Sequence, residues 1–588
     1  MNPHSMILPA ADNTDDAPWS AARTDTRDHA ETLSGAELIV RALEQQNVRL
    51  IAGIPGGALL PVYEALSRCS RIRHVLVRHE QSAGFIAQGM ARMTGRAGVC
   101  LATSGPGVTN MLTALADAKL DSIPIVCITG QVPTHLIGTD AFQEVATVEL
   151  AKPITKATFF ARTANELTSM IADAFRIAES GRPGPVLIDV PKDVQLQRGE
   201  LKAAPIHQPE RLPKCTDKYD AAAAMLRAAQ RPVLYVGGGV VKARAEKALR
   251  QLAEYAGIPV TTTLMALGTL PHDHLLNLGM LGMHGSMVTH HVLEECDLLI
   301  AVGARFDDRA TGKPDRFASQ AKIIHIDIDA REFGKIKRPD LSIHADAWNA
   351  LIQLGSRLTS AAASRDETWL SRVAELRSRF PAVKETIDGA PAARIAQLAR
   401  HLPDDVIVTT DVGQHQMWVA QSFPFVRADR WLTSGGLGTM GFGLPAAIGA
   451  ALAEPGATVA CFTGDGSLLM NIQELATLAE LQLNVKILLF DNASLGMVRQ
   501  QQTLFYGRRL CASEFAKPSD FLRIARAFDI EAIDISQSED ELLAVLRKRG
   551  PALIRIPIGA GHMVMPMVAS GAANIEALQV NPLLAIEE

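Results

Sequence analysis

Val459-Ala460-Cys461-Phe462 leads through Thr463 into Gly464-Asp465-Gly466-Ser467, and a second apolar run, Lys486 to Phe490, ends at Asn492. Both runs read as buried strands, each with a turn at its carboxyl end. In a parallel sheet the two strands finish on one edge, where α/β folds bind their ligands. The Asp465 carboxylate and, 27 residues on, the Asn492 carbonyl would there offer hard oxygen ligands to magnesium. Gly464 and Gly466 let backbone amides approach phosphate oxygens. Two ordinary turns could carry the same letters. A strand before each half favours a phosphate-and-metal site.

Working outward, Val406–Thr409 and Leu553–Ile556 complete a parallel series with Val459–Phe462 and Val485–Phe490. Similar short runs recur upstream at Arg49–Ala52, Gly98–Ala102, Ile123–Thr129 and Val186–Val190, then at Val233–Val236, Leu298–Val302 and Ile323–Ile326. Helical patterns lie between them, so the expectation is three doubly wound α/β domains with parallel sheets. A charged, proline-containing stretch from Gln197 to Thr216 reads as a linker, and a polar helical stretch from Ser360 to Arg394 as a connection. The expected boundaries are 34–197, 216–355 and 395–570, with tails at 1–33 and 571–588. Ser34 and Glu37 form a capping box for the first helix.

Composition narrows the class. The 588 residues are too many for one core. Sixty-three acids against 58 bases give net charge -5, which offers no basic field to nucleic acid or anionic lipid. Seven scattered cysteines form no CxxC pair and no zinc spacing, and read as free thiols in a reducing compartment. Five aspartates in the first thirty residues argue against a transit peptide, so a cytoplasmic location is expected. Leu432–Ala453 is uncharged and long enough to cross a bilayer, yet its six glycines and a proline fit a buried loop and helix better.

Arg78-His79-Glu80-Gln81 closes the run His74–Val77 and opens a small-residue helix, Ser82 to Met93. Read alone, Glu80 is either a first-turn glutamate favoured by the helix dipole or an acid held for chemistry. The strand–GDG–strand–Asn signature makes the second reading stronger.

That signature resembles the one found in thiamine-diphosphate enzymes. The resemblance extends from about Ser34 to Ala573 through GIPGGALLPVY (53–63), RHEQSAGFIAQGMAR (78–92), IGTDAFQEV (137–145), VGARFDDRATGK (302–313), TTDVGQHQMW (409–418) and LTSGGLGTMGFGLPAAIGAALA (432–453). On these blocks the chain is similar to the acetohydroxyacid (acetolactate) synthase large catalytic subunits, nearest the bacterial isozyme I type. The resemblance implies decarboxylation of pyruvate and condensation of the hydroxyethyl unit with pyruvate or 2-ketobutyrate, in branched-chain amino-acid biosynthesis. It implies thiamine diphosphate, Mg2+ and FAD as cofactors.

It carries residues over position by position. Glu80 would activate the cofactor through its aminopyrimidine, in a mostly apolar setting. Asp465, Asn492 and the Ser494 carbonyl would hold the metal, with Gln414, His415, Gly438, Gly464, Gly466 and Ser467 around the diphosphate and Met440 as the cofactor's prop. Gly53, Phe142, Gln143, Lys192 and Arg309 would handle the keto acids, the two cations matching an anionic substrate. Arg182, Met283, His284, Gly303, Arg305, Asp307, Asp327 and Asp346 would hold the flavin. Glu80 and the metal would meet across a homodimer or dimer of dimers, and a separate small regulatory subunit is implied. Glyoxylate carboligase lacks the activating glutamate, so Glu80 argues against that alternative. The intact site residues argue against a non-catalytic relative.

Three positions depart from the family pattern. Asp491 replaces an asparagine beside the metal ligand, Val108 replaces an alanine, and Gln501 stands where many relatives have a tryptophan. A polar, flexible Gln501 predicts weak preference between pyruvate and 2-ketobutyrate as acceptor.

Overall fold

The computed structural model describes residues 32–203, 216–359, 367–381, 390–536 and 538–579. Among these, three six-stranded sheets form, all with parallel neighbours. The first contains Leu50–Gly53, Arg73–Leu76, Gly98–Ala102, Ile125–Gln131, Ala157–Phe160 and Pro185–Pro191. Numbered along the chain, its spatial order is 2-1-3-4-6-5. The third contains Ile407–Thr410, Trp431–Leu432, Val459–Gly464, Val485–Asp491, Glu531–Asp534 and Ala552–Pro557, in the same order. The middle sheet, from Pro232–Val236 to Leu341–His344, has the order 3-2-1-4-5-6 typical of dinucleotide-binding folds. Its central strands are buried apart from Pro232 at the start of the first, as helices on both faces require.

Local sequence explains most of this. Ser34 Oγ accepts from Glu37 N (3.2 Å) and the Glu37 carboxylate accepts from Ser34 N (2.8 Å), so the capping box opens the helix Gly35–Gln45. Ala157–Phe160, half-buried on all four residues, lacks the apolar alternation that exposes a strand to sequence reading. The expected linker from Gln197 begins instead as strand Arg198–Glu200, which pairs antiparallel with Thr32–Ser34. The remainder, 204–215, lies outside the described residues, as does the expected N-terminal tail apart from Thr32 and Leu33. Helix Pro391–His401 packs on Gln414–Ser422, so the third unit reaches upstream of residue 395.

The first and third sheets share one apolar core. Its seam is helix Glu80–Thr94 against helix Gly443–Ala453. A Cβ on Gly89 would lie 2.3 Å from the Ala446 carbonyl oxygen, and one on Gly449 would lie 2.2 Å from that of Ile86. Glycine is required at both points for the backbones to touch. Phe85 meets Phe442 edge-on at 5.4 Å, and Arg92 lies over the Phe442 ring. The uncharged stretch Leu432–Ala453 is therefore this loop and buried helix. Among the described residues no helix is long and apolar enough to cross a membrane.

The segment expected as a C-terminal tail from 571 instead packs on the middle domain as far as it is described. Lys313 N donates to Ala572 O (2.9 Å), Asn574 Nδ2 to Ala310 O (2.9 Å), and Val568 N to Met283 O (2.9 Å). These bonds satisfy polar groups that a loose tail would leave to water.

Candidate active site

Strands Val459–Gly464 and Val485–Asp491 are neighbours, with Gly464 opposite Phe490. Their ends therefore place Asp465 and Asn492 side by side. The Ser494 amide donates both to Asp465 Oδ2 (3.1 Å) and to Asn492 Oδ1 (3.1 Å), so the two predicted ligand oxygens converge on one N–H. Burial, the largest cause, lifts the Asp465 carboxyl to about 6, and the nearby Asp491 charge adds to it. A divalent cation reverses that pressure. The Ser494–Leu495 loop is tied to the facing segment by Leu495 N to Ser513 O (2.8 Å) and Phe515 N to Ala493 O (2.9 Å). Beside it opens a cavity of about 560 Å³ lined in part by Asn492, Ser494, Cys511 and Phe515.

The diphosphate candidates surround this pair. Asn492 Nδ2 donates to Gln414 Oε1 (3.2 Å), and Gln414 Nε2 donates to Gln500 Oε1 (2.8 Å). His415 is buried and held neutral, its pKa pushed down to about 3 by desolvation, while its Nε2 has no partner. A buried ring nitrogen without a partner costs free energy until a hydrogen-bonding group reaches it. Met440 reaches the same place: a Cβ on Gly466 would lie 3.6 Å from its terminal methyl. Gly438 (φ +70°) and Gly441 (φ +90°) turn the chain there. Ser467 Oγ donates to Val412 O (2.9 Å). Convergent hard oxygens, a neutral orphan imidazole and glycine-lined backbone fit magnesium with a diphosphate.

Asp491 departs from the family pattern and stands close enough to Asp465 to raise its carboxyl, yet it has a cation of its own. Its Oδ2 accepts from Arg555 Nε (2.6 Å) on the adjacent strand, and Arg555 Nη1 also donates to Asp534 (2.9 Å). The added carboxylate is thus held by a cation 64 residues away.

At the first sheet, Glu80 opens its helix directly, two residues before the expected start, with His79 as cap. Asn110 Nδ2 donates to Glu80 Oε2 (3.0 Å). A Cβ on Gly107 would lie 3.6 Å from Glu80 Oε1. Gly53 ends its strand where a Cβ would lie 2.7 Å from Leu101 O and 2.9 Å from the Tyr63 hydroxyl. Gln143 holds φ +61° and backs onto Gly105. Phe142 beside it is 88% exposed. Lys192, half-buried, opens the helix Lys192–Leu196 at the end of the sixth strand.

Two carboxylates not expected from sequence order the Gln143 loop. Asp193 accepts from Thr134 N (3.0 Å) and Thr134 Oγ1 (2.5 Å). Glu144 accepts from the amides of Gly138, Thr139 and Ala141. Arg309 lies elsewhere, in the middle domain, with 61% of its side chain exposed; its Nη1 is 3.9 Å from Met283 Sδ, and Met283 N donates to Arg309 O. Among the described residues no hydrogen bond or ion pair joins Glu80, Gln143 or Lys192 to Asp465, Asn492 or Arg309.

The flavin candidates collect around the switch point of the middle sheet. There Gly237 and Gly239 close against Gly303 (φ +57°), where a Cβ would lie 2.1 Å or 2.6 Å from Gly303 atoms. Arg305 is half-buried two residues on. Asp327 ends the fifth strand, its carboxyl lifted to about 6 by burial. Asp307 caps helix Asp308–Thr311, and Asp346 Oδ1 accepts from Asn349 N (3.2 Å). Arg182 reaches across from the first domain to Glu332 (2.6 Å) and Asp329 (3.4 Å). His284 is buried and pushed down to about 4 by desolvation, with Nδ1 3.0 Å from Pro566 O. Tight glycine backbone at the switch point fits a dinucleotide.

Three family profiles match the chain, one within each of the three sheet-bearing units. Residues 33–150 match the thiamine pyrophosphate enzyme N-terminal TPP binding domain, 219–354 the central domain, and 411–556 the C-terminal TPP binding domain. Fold and site together define a thiamine-pyrophosphate enzyme. The acetolactate synthase isozyme 1 large subunit of Escherichia coli K12 is 53% identical over 95% of this chain and 99% of its own length. The acetolactate synthase large subunit of Corynebacterium glutamicum is 46% identical over 92% and 90%, and the E. coli isozyme 2 large subunit 46% over 93% and 100%. The chain belongs to the acetolactate synthase large subunit family.

Proposed function

We propose that the chain is the catalytic large subunit of an acetolactate synthase: it decarboxylates pyruvate and joins the two-carbon unit to a second pyruvate or to 2-ketobutyrate. The observation that carries this is the convergence of Asp465 and Asn492 on one amide, at the sheet edge where this family binds its cofactor. Bound thiamine diphosphate supplies the electron sink for loss of carbon dioxide.

The chain's own residues do the rest. Asp465, Asn492 and the Ser494 carbonyl hold magnesium, and Gln414, His415, Gly464 and Gly466 face the diphosphate. Met440 props the cofactor, and Glu80, fixed by Asn110, holds a proton at the aminopyrimidine nitrogen. Lys192 and Arg309 attract the keto-acid carboxylates, while Gly53, Phe142 and Gln143 line the reacting carbonyl. FAD occupies the crevice at Gly303, with Arg182, Met283, His284, Arg305, Asp307, Asp327 and Asp346 around it. Glu80 and Asp465 serve one cofactor from two copies of the chain, which supports a homodimer as the smallest active unit. A small regulatory partner accords with the relatives' title of large subunit. A cytoplasmic location accords with six described cysteines that are all free.

The test is acetolactate formation by purified protein given pyruvate, Mg2+ and thiamine diphosphate, with and without FAD. Flavin-dependent product is the expected result. Pyruvate left unconsumed, or glyoxylate consumed in its place, overturns the proposal.

A further inference from the structure

The helix Pro106–Asp121 grips a different half of the cofactor apparatus at each end. Near its start Asn110 donates to Glu80. At its finish two carboxylates of the first domain hold a loop of the third. Asp117 Oδ2 accepts from Ser434 Oγ (2.5 Å) and Thr439 Oγ1 (2.7 Å), and its Oδ1 from Gln88 Nε2 (3.1 Å). Asp121 accepts from the amides of Gly435 (3.1 Å) and Gly436 (2.7 Å), and from Arg92 Nη2 (2.8 Å). Asp117 is fully buried and Asp121 4% exposed. Six donors answer the pair, four of them from the loop Ser434–Thr439.

Outside these bonds the loop is held at its two ends, where Gln416 Nε2 donates to Ser434 O (3.1 Å) and Gly441 N to Asp411 Oδ1 (2.7 Å). Gly435, Gly436, Leu437 and Gly438 are exposed, three of the four are glycines, and Thr439 N turns back to Ser434 Oγ (2.9 Å). Yet it leads directly to Met440, whose terminal methyl reaches Gly466. Glycine-rich backbone between those ends samples many conformations, and the carboxylates beneath it supply four further bonds that order it.

We propose that Asp117 and Asp121 are positioning residues for the thiamine cofactor: without touching it, they fix the Ser434–Met440 loop so that Met440 stands over Gly466. This rests on the cofactor reading given above. The helix that carries them ties the placement of Met440 to that of Glu80 in the same chain.

The test is calorimetric titration of cofactor-free protein with thiamine diphosphate at saturating Mg2+, with FAD binding followed in parallel by fluorescence. Wild type, Asp117→Ala, Asp117→Asn and Thr439→Val are compared. Asp117→Ala should weaken thiamine diphosphate binding at least tenfold and leave FAD binding within twofold. Asp117→Asn, which keeps an acceptor, should fall between the two. Thr439→Val keeps the shape, removes one hydroxyl and should weaken binding severalfold. Unchanged thiamine diphosphate binding in both Asp117→Ala and Thr439→Val overturns the proposal. So does parallel loss of both cofactors in Thr439→Val, which is a merely structural result. If wild type itself fails to bind thiamine diphosphate, the cofactor reading has failed instead.

Discussion

The first and third domains are topological twins with different duties. Each has strand order 2-1-3-4-6-5, and the helix after the second strand of one packs on its counterpart in the other. In the first domain that helix begins with Glu80, so the proposed catalytic acid stands at a helix start after strand 2. In the third domain the proposed metal ligands lie instead at strands 3 and 4, whose ends carry Asp465 and Asn492. The same edge thus presents one acid held by an amide in one twin and a pair of converging oxygens in the other. Topology supplies the edge, and the residue at each strand end decides its chemistry.

The division of labour breaks most sharply by removing each acid. Asp465→Ala should abolish Mg2+ binding and lower acetolactate formation by about a thousandfold or more, since a bound metal contributes several kcal/mol. Glu80→Gln should lower kcat by about a hundredfold or more while Mg2+ binding persists. Rate assays paired with Mg2+ titration decide between them, and a Glu80→Gln protein that no longer bound metal would show that the two edges are not separate.

The seam between the twins comes next. Gly449→Ala drives a methyl into the Ile86 carbonyl and should destabilise the protein by about 2–3 kcal/mol, read from denaturant midpoints. Arg555→Gln strands the buried Asp491 carboxylate, a feature only the third-domain edge has. It should cost about 1–2 kcal/mol, reduced from a fully buried pair because Arg555 is partly exposed. Thermal melts of Arg555→Gln with and without Asp491→Asn check this, and the second change should recover most of the loss.

The smallest effect concerns specificity. Gln501 is half-buried on helix Gly496–Phe505, just past the metal loop. Gln501→Trp should favour 2-ketobutyrate over pyruvate by about tenfold at most, the worth of roughly 1 kcal/mol in an acceptor pocket. Competition between the two acceptors measures it, and a wild type already strongly biased would contradict the role given to Gln501.

Sequence reading succeeded where the signal was local. Asp465 and Asn492 each follow a buried strand, so spacing and turn residues were enough to bring them to one edge. Glu80 was ambiguous by itself, because a helix start welcomes a glutamate for electrostatic reasons alone. What stayed hidden is non-local. Arg555 answers Asp491 only because their strands pair, and Asp117 holds Ser434 from 317 residues away. Glu144 sits within IGTDAFQEV, yet its three amide partners depend on how that loop folds back. The edge strand Ala157–Phe160 escaped because half-burial leaves no apolar period to read.

The packing of residues 566–574 on the middle domain sets an order for assembly. Met283, His284 and Arg309 are made near the midpoint of synthesis, yet the loops that bear them are stitched to Pro566, Val568, Ala572 and Asn574. At translation rates of about 5–20 residues per second, roughly tens of seconds pass between loop and partner. During that interval the first two sheets can fold while those loops still lack their partners. The middle domain is therefore a scaffold before these loops are set, and they close only once residues 566–574 have been made.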